Sequence, residues 1–259
     1  MHIKFEEALY ISGSTKIPYS IDKFTKIREA NFEEYTILKD FLFCPECNIP
    51  HLVHKYCANN HSYFSTHPNE AHDMSCSLSY SKASHKLLAD LNSKKNLDVL
   101  NMKLKSCLLL LIKGQRNTSN PFLIAEHDTK RSTTSINSVK NSKKYCIPRK
   151  RLNCNMDDSV TTEYRIFYGE VILKWRAKTS ANIRILDIYD CAQKSHICSL
   201  RFPNTVYHYL SVQAKKYSDE ELFTATISFY TKLEKNSRFY NGFISDSRQF
   251  YILESFNTD

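Results

Sequence analysis

The chain has 259 residues, with 36 Lys and Arg against 27 Asp and Glu, a net charge of +9 and a pI near 9.0. That length can bury a substantial core in one to three domains, and the basic excess favours an acidic partner such as nucleic acid. Only four glycines occur, and no G-x-x-x-x-G-K or G-x-G-x-x-G loop is present, which argues against nucleotide-driven motors and dinucleotide oxidoreductases.

The first residues, Met1-His2-Ile3-Lys4-Phe5-Glu6-Glu7, lack the apolar core of a signal peptide. The longest apolar run, Cys107 to Ile112, is too short to cross a bilayer. The expectation is a soluble, cytoplasmic protein with no membrane partner, its nine cysteines reduced or metal-bound rather than paired in a secreted framework.

In chain order, Ala8 to Ile11 and Lys16 to Ile21 flank Ser12-Gly13-Ser14-Thr15 and predict a hairpin. Phe24 to Ile37 predicts one short helix, and Phe41-Leu42-Phe43 leads into Cys44-Pro45-Glu46-Cys47. A Cys-x-x-Cys pair on a tight turn presents two thiolates at the bite a tetrahedral zinc accepts, and two more ligands nearby complete a closed structural site. His67 and Cys76 are the ligands chosen, because Tyr63-Phe64-Ser65-Thr66-His67 sets an aromatic side chain beside a histidine. His61, His72, His51, His54 and Cys57 compete with His67. The alternative is a pair of reduced core thiols among loop histidines. A thioredoxin-type redox pair fits less well, since Pro50 and the polar Asn59-Asn60-His61-Ser62 run predict a knuckle and hairpin, with Leu52-Val53 and Tyr63-Phe64 as bracketing strands.

After Cys76 the period becomes helical. Ala83, Leu87, Leu88 and Leu91 share one face, and Leu97, Leu100, Leu104 and Leu108 continue it beyond Asn92-Ser93. This helix, broken into segments, is expected to pack on the metal module, giving a zinc-binding α+β module over residues 1–128. Residues 129–158 lose apolar periodicity and read as a Ser/Lys/Asn-rich linker ending in Arg149-Lys150-Arg151, a solvated connector or a phosphate-contacting arm.

Residues 159–259 read as a β-domain. Phe167, Val171, Leu173 and Trp175 fall on one face of a strand, and Gly169 within it suggests a bulge. Strands follow over Asn182–Asp190 and His196–Phe202, then a short helix from Thr205 toward Tyr217 capped by Asn204, a strand over Phe223–Tyr230, and a hairpin from Phe239–Ile244 and Gln249–Leu253. The order strand–strand–strand–helix–strand–strand is that of a five-stranded OB-like barrel. The fold class expected is therefore α+β, a β-rich zinc module with helices followed by that barrel.

Ala8-Leu9 with Gly13, Cys44-Pro45-Glu46-Cys47, Phe64 with His67, Cys76, and Ser84-His85-Lys86-Leu87-Leu88 together resemble the N-terminal region of the CoiA-like competence proteins. The resemblance covers residues 8–90. It implies a zinc knuckle, a following helix and a PD-(D/E)XK-like nuclease core. This chain departs from the pattern in having His67 alone for a histidine doublet and no acidic residue just before His85. Arg184-Ile185-Leu186-Asp187-Ile188 is similar to the family's metal-binding strand, yet the next strand offers no carboxylate, and one Asp does not hold a catalytic metal. Asp187 therefore reads as a turn-flanking or salt-bridging residue.

The function expected is non-catalytic binding of single-stranded DNA or RNA, with a structural Zn²⁺ on Cys44, Cys47, His67 and Cys76. Tyr168, Lys174, Arg176, Arg184, Arg201 and Tyr230 are the groove residues expected, joined by Arg149, Lys150 and Arg151. The alternatives are a protein–protein adaptor subunit of a defence, conjugation or recombination assembly, and a degenerate nuclease.

Overall fold

The hairpin around Gly13 opens the chain. The computed structural model describes residues 5–56, 62–74, 76–113, 123–125, 144–153, 156, 158–177, 182–210, 218–237 and 239–254. They divide into two units, Met1–Ser81 and Lys82–Asp259. No described helix is long and apolar enough to cross a membrane.

In the first unit, β1 (Glu7–Ser12) and β2 (Thr15–Ser20) pair antiparallel with Ser12 opposite Thr15. That leaves a two-residue turn, which Gly13 enters with φ of 58° at no steric cost. The single helix expected is two: α1 (Ile21–Ala30) and α2 (Phe32–Leu38). Asn31 divides them, because its backbone N–H bonds Ile27 O to end α1 while its side chain accepts from Glu34 N to start α2. β3 (Leu42–Phe43) pairs on the other edge of β1, and β4 (Leu52–Lys55) pairs with β5 (Tyr63–Thr66). Phe24 is fully buried at the centre, its ring 5.3–5.6 Å from those of Tyr19, Tyr35, His54 and Phe64.

The second unit begins with α3 (His85–Leu91) and α4 (Leu97–Lys113), where helical periodicity predicts them. They pack on a sheet of their own unit, and the chain divides at Ser81 rather than at the expected residue 128. β6 (Leu123–Ala125) pairs with β7 (Lys144–Cys146). The large sheet comprises β8 (Arg149–Arg151), β9 (Arg165–Trp175), β10 (Ile183–Asp190), β11 (His196–Pro203), β12 (Leu222–Thr231), β13 (Glu234–Asn236), β14 (Phe239–Phe243) and β15 (Phe250–Glu254). Its order is β13-β14-β11-β10-β9-β12-β15, with β8 alongside the first part of β9. Neighbours are antiparallel except β8/β9 and β11/β14. Helix α5 (Asn204–His208) follows β11. The expected linker thus contributes β7 and β8, while residues 126–143 lie outside the described part.

The fold is α+β, as expected, but its sheet carries eight strands rather than five. The two strands not expected are β8, which lies beside β9, and β13, into which the expected fourth strand continues through Lys232 and Leu233. The two final strands do not form a hairpin with each other: β14 pairs with β11 and β13, β15 with β12. Gly169 makes no bulge, since β9 and β12 keep one register from Thr231↔Arg165 to Leu222↔Lys174. Its missing side chain lets Leu152 pass instead, where an added Cβ would lie 3.3 Å from Leu152 Cβ.

Period-two alternation gives the sheet two apolar surfaces. Val171, Leu173, Trp175, Leu186, Leu200, Ile227, Phe229 and Phe250 belong to one cluster inside the curl of the sheet. Phe202 of β11 and Phe250 of β15 are four strand steps apart, about 19 Å in a flat sheet, yet their ring centroids are 5.4 Å apart. On the other surface Ile166, Tyr168 and Tyr230 pack under Leu88, Leu91, Leu100 and Leu104. There the Ser228 hydroxyl donates to Leu104 O and the Tyr230 hydroxyl to Leu88 O, each at 2.9 Å.

Candidate metal centre and the outward face of the sheet

Cys44, Cys47, His72 and Cys76 bring their ligand atoms within 4.8 Å of one another in the first unit. Cys44 Sγ lies 3.9 Å from Cys76 Sγ, and His72 Nδ1 lies 3.5 Å from both Cys47 Sγ and Cys76 Sγ. A tetrahedral zinc with bonds of about 2.3 Å to sulfur and 2.0 Å to nitrogen has edges of about 3.8 Å between sulfurs and 3.5 Å from sulfur to nitrogen. These three separations match the edges such an ion needs, and the remaining donor pairs lie within 4.8 Å.

Local structure explains how they arrive there. Cys44 N donates to Pro50 O and Asn48 N to Cys44 O, folding the Cys-x-x-Cys loop into a knuckle. Asn48 takes the left-handed conformation this requires, with φ of 59°. Glu46, inside the loop, accepts from Ser77 N and Ser77 Oγ at 2.5 and 2.6 Å, which anchors the knuckle beside Cys76. Thr66 Oγ1 sits 3.2 Å from His72 Nε2; with Nδ1 serving as the metal ligand, Nε2 carries the proton and donates it to this hydroxyl. Phe5 stacks on the imidazole at 5.5 Å.

The electrostatics also suit a cation. A hydrogen bond from the Cys76 thiol lowers the Cys44 pKa, the same bond together with burial raises Cys76, and burial raises Cys47. Three thiolates at this spacing repel unless a positive ion sits among them.

The histidine ligand is a correction. His67 is exposed, its Nδ1 turned to Pro68 O at 3.0 Å and its backbone N–H bonded to His51 O. His51 pairs with Glu70. His54 is buried among aromatic rings, and burial together with nearby Arg28 pushes its pKa down to about 4. His61 and Cys57 lie outside the described residues.

The expected groove residues separate into two sets. Tyr230 is fully buried and Tyr168 is 8% exposed, both beneath α3 and α4, so neither ring is open to a base. Arg184 is buried, ion-paired with Asp219 and held over the Tyr207 ring at 5.0 Å. Lys150 is buried within β8, so the 149–151 run is a sheet strand and not a free arm, although Arg151 is exposed and Arg149 half-buried.

Lys174, Arg176 and Arg201 do share a face. It is the outward side of the second half of β9 with β10, β11 and β14, and the residues of the helix-packed cluster lie elsewhere on the sheet. Register aligns Lys174, Asp187, Ser199 and Asn241 across the four strands. Beside this row, Arg201 stands opposite Phe243; on its other side Tyr189 stands opposite His196, whose ring is 5.3 Å from Phe239. Phe239 and Phe243 are 54% and 51% exposed.

Lys174 pairs with Glu220 at 2.7 Å. Asp187 is buried and salt-bridged to Arg176, in keeping with the sequence reading. Burial alone would raise its pKa, but hydrogen bonds from His196, Arg176 and Ser199 outweigh burial and hold the carboxyl well below the usual range. Sequence reasoning missed Phe239, Phe243, Tyr189 and His196. The signal available was the alternation Phe239-Tyr240-Asn241-Gly242-Phe243, in which small Gly242 marks the crowded inner side.

Comparison of the chain with protein families, curated proteins and solved structures finds no match to any of them.

Proposed function

We propose that this chain binds single-stranded nucleic acid on the outward face of β10, β11 and β14, and that a structural zinc holds its first unit together. The observation that carries the reading is the make-up of that face, where the half-exposed Phe239 and Phe243 share one side of the sheet with Arg176 and Arg201. Rings stack on unpaired bases and cations track phosphates, and a duplex offers no bases to stack.

The strand pairings support an OB-like barrel as the framework. Successive pairs run β9–β10–β11–β14–β13, and β13 continues β12, which pairs back on β9. The parallel β11/β14 pair and the helix after the third strand suit that topology, in which the face of strands two and three is the nucleic-acid surface. Charge points the same way: residues 1–81 hold 7 Lys and Arg against 10 Asp and Glu, a net −3, while residues 82–259 hold 29 against 17, a net +12. The likeness of residues 8–90 to CoiA-like competence proteins, a family with a nuclease-like core, agrees with a nucleic-acid partner. Four protein ligands leave a zinc no open position, so its role is structural. Both Asp187 oxygens are taken by Arg176 and Ser199, which favours binding without cleavage.

The test is fluorescence anisotropy of the full chain with a labelled single-stranded oligonucleotide and its duplex. Three phosphates neutralised by Lys174, Arg176 and Arg201 give a log–log salt slope of about −2, or roughly 20-fold weaker binding between 50 and 200 mM salt. Failure to bind any nucleic acid at low salt refutes the reading. The adaptor reading would then lead, on its own observation. Ile17 lies opposite Tyr10, whose ring is 6.1 Å from Phe41, and Ile37 precedes Phe41 by one turn, forming an exposed apolar stripe on the first unit.

A further inference from the structure

A buried carboxylate at the centre of a face that binds polyanions is a physical contradiction unless it does something for that face. Asp187 is 3% exposed. Arg176 Nε donates to its Oδ2 at 2.6 Å and Nη2 to its Oδ1 at 2.8 Å. The Ser199 hydroxyl donates to Oδ1 at 2.6 Å, and His196 Nε2 lies 3.0 Å from Ser199 Oγ and 3.5 Å from Oδ1. The Arg176 side chain is nevertheless 47% exposed. Two of its five N–H groups point at the carboxylate, which fixes the plane of the fork and turns its outer edge to solvent. His196, steadied from below by Ser199, stands between the rings of Tyr189 and Phe239 at 5.4 and 5.3 Å.

We propose that Asp187 is the positioning residue of the single-strand site, locking the Arg176 fork and, through Ser199, the His196 wall in the geometry that receives phosphate and base. This rests on the functional reading above. An unpinned arginine loses its rotamer freedom when it meets a phosphate; one already pinned does not. The local anion therefore improves binding of a polyanion.

Electrostatics without positioning gives the opposite sign, which makes the inference testable by Asp187→Asn in the full chain, read by anisotropy with a labelled oligothymidylate. Positioning predicts weaker binding, by about fivefold to tenfold. Simple charge removal predicts tighter binding. The second arm repeats the substitution in an Arg176→Ala background. There the carboxylate has no fork to hold and keeps only its hold on His196 through Ser199, so Asp187→Asn weakens binding by no more than about twofold. A general loss of structure would weaken binding equally in both backgrounds and overturn the inference. Should Asp187→Asn not fold, Ser199→Ala serves, with about twofold weaker binding expected from the loss of one supporting hydrogen bond. Tighter or unchanged binding by whichever of these variants is read, while the parent chain binds, overturns this inference alone; no binding by the parent chain overturns the functional reading with it.

Discussion

Replacing His72 and His67 separately by alanine asks which histidine completes the metal centre. Closed structural zinc sites carry apparent binding energies on the order of 10–16 kcal/mol, so one of four ligands accounts for roughly 3 kcal/mol, above 100-fold in affinity. His72 has its Nδ1 3.5 Å from two cysteine sulfurs, whereas His67 is exposed and turned to Pro68 O. Elemental analysis of the purified chain should give about one zinc for the parent and for His67→Ala. His72→Ala and Cys44→Ser should fall far below that. Chelator competition then ranks the residual affinities, and Thr66→Val, which removes the acceptor of His72 Nε2–H, should weaken zinc by about 10- to 100-fold. Metal loss should also unfold the first unit, whose core cluster, among the described residues, comprises eight buried side chains around Phe24 and Phe64. If His67→Ala loses its zinc while His72→Ala keeps it, the ligand assignment is wrong.

Three further outcomes follow from packing, burial and exposure. Gly242→Ala should destabilise the second unit by about 1–3 kcal/mol in chemical denaturation, since its Cβ would lie 2.7 Å from Leu200 Cδ2 and 3.0 Å from Leu233 Cδ2 and Thr231 Cγ2. Burial holds His54 near a pKa of about 4 in the folded chain, against about 6.5 unfolded. The unfolded state thus takes up the extra proton between those values, and stability complete above about pH 6.5 should fall by about 3 kcal/mol toward pH 4. His54→Phe should lose that part of the slope, seen as the difference between the two proteins at pH 5 and 7.5. Phe239→Ala and Phe243→Ala should each weaken single-strand binding by about 1–3 kcal/mol without lowering the thermal midpoint, because both rings are half exposed.

Local patterns were legible, and long-range packing was not. Cys44 and Cys47 declare themselves because two ligands on one turn fix their own separation. His72 was readable by the same logic, for it precedes Cys76 by four residues and so also shares a short turn; the aromatic run leading to His67 was a weaker guide. Alternation along β9 correctly separated Phe167, Leu173 and Trp175 from Lys174 and Arg176. It could not show that α3 and α4 cover the polar-side positions Tyr168 and Tyr230, since that cover comes from more than sixty residues away in sequence. Phe239 and Phe243 escaped notice for the converse reason: phenylalanine in a strand reads as core, and only pairing with β11 turns Tyr240 inward and leaves the two rings outside.

The most direct test of the account is photocrosslinking of the full chain to a single-stranded oligonucleotide carrying bromodeoxyuridine, with the adducts mapped by mass spectrometry. The face defined by Tyr189, His196, Phe239 and Phe243 predicts adducts in the tryptic peptide Phe239–Arg248 and in the peptide that contains Tyr189, competed away by unlabelled single strand but not by duplex. Specific adducts confined to residues 1–81, or to the strands beneath α3 and α4, would contradict it.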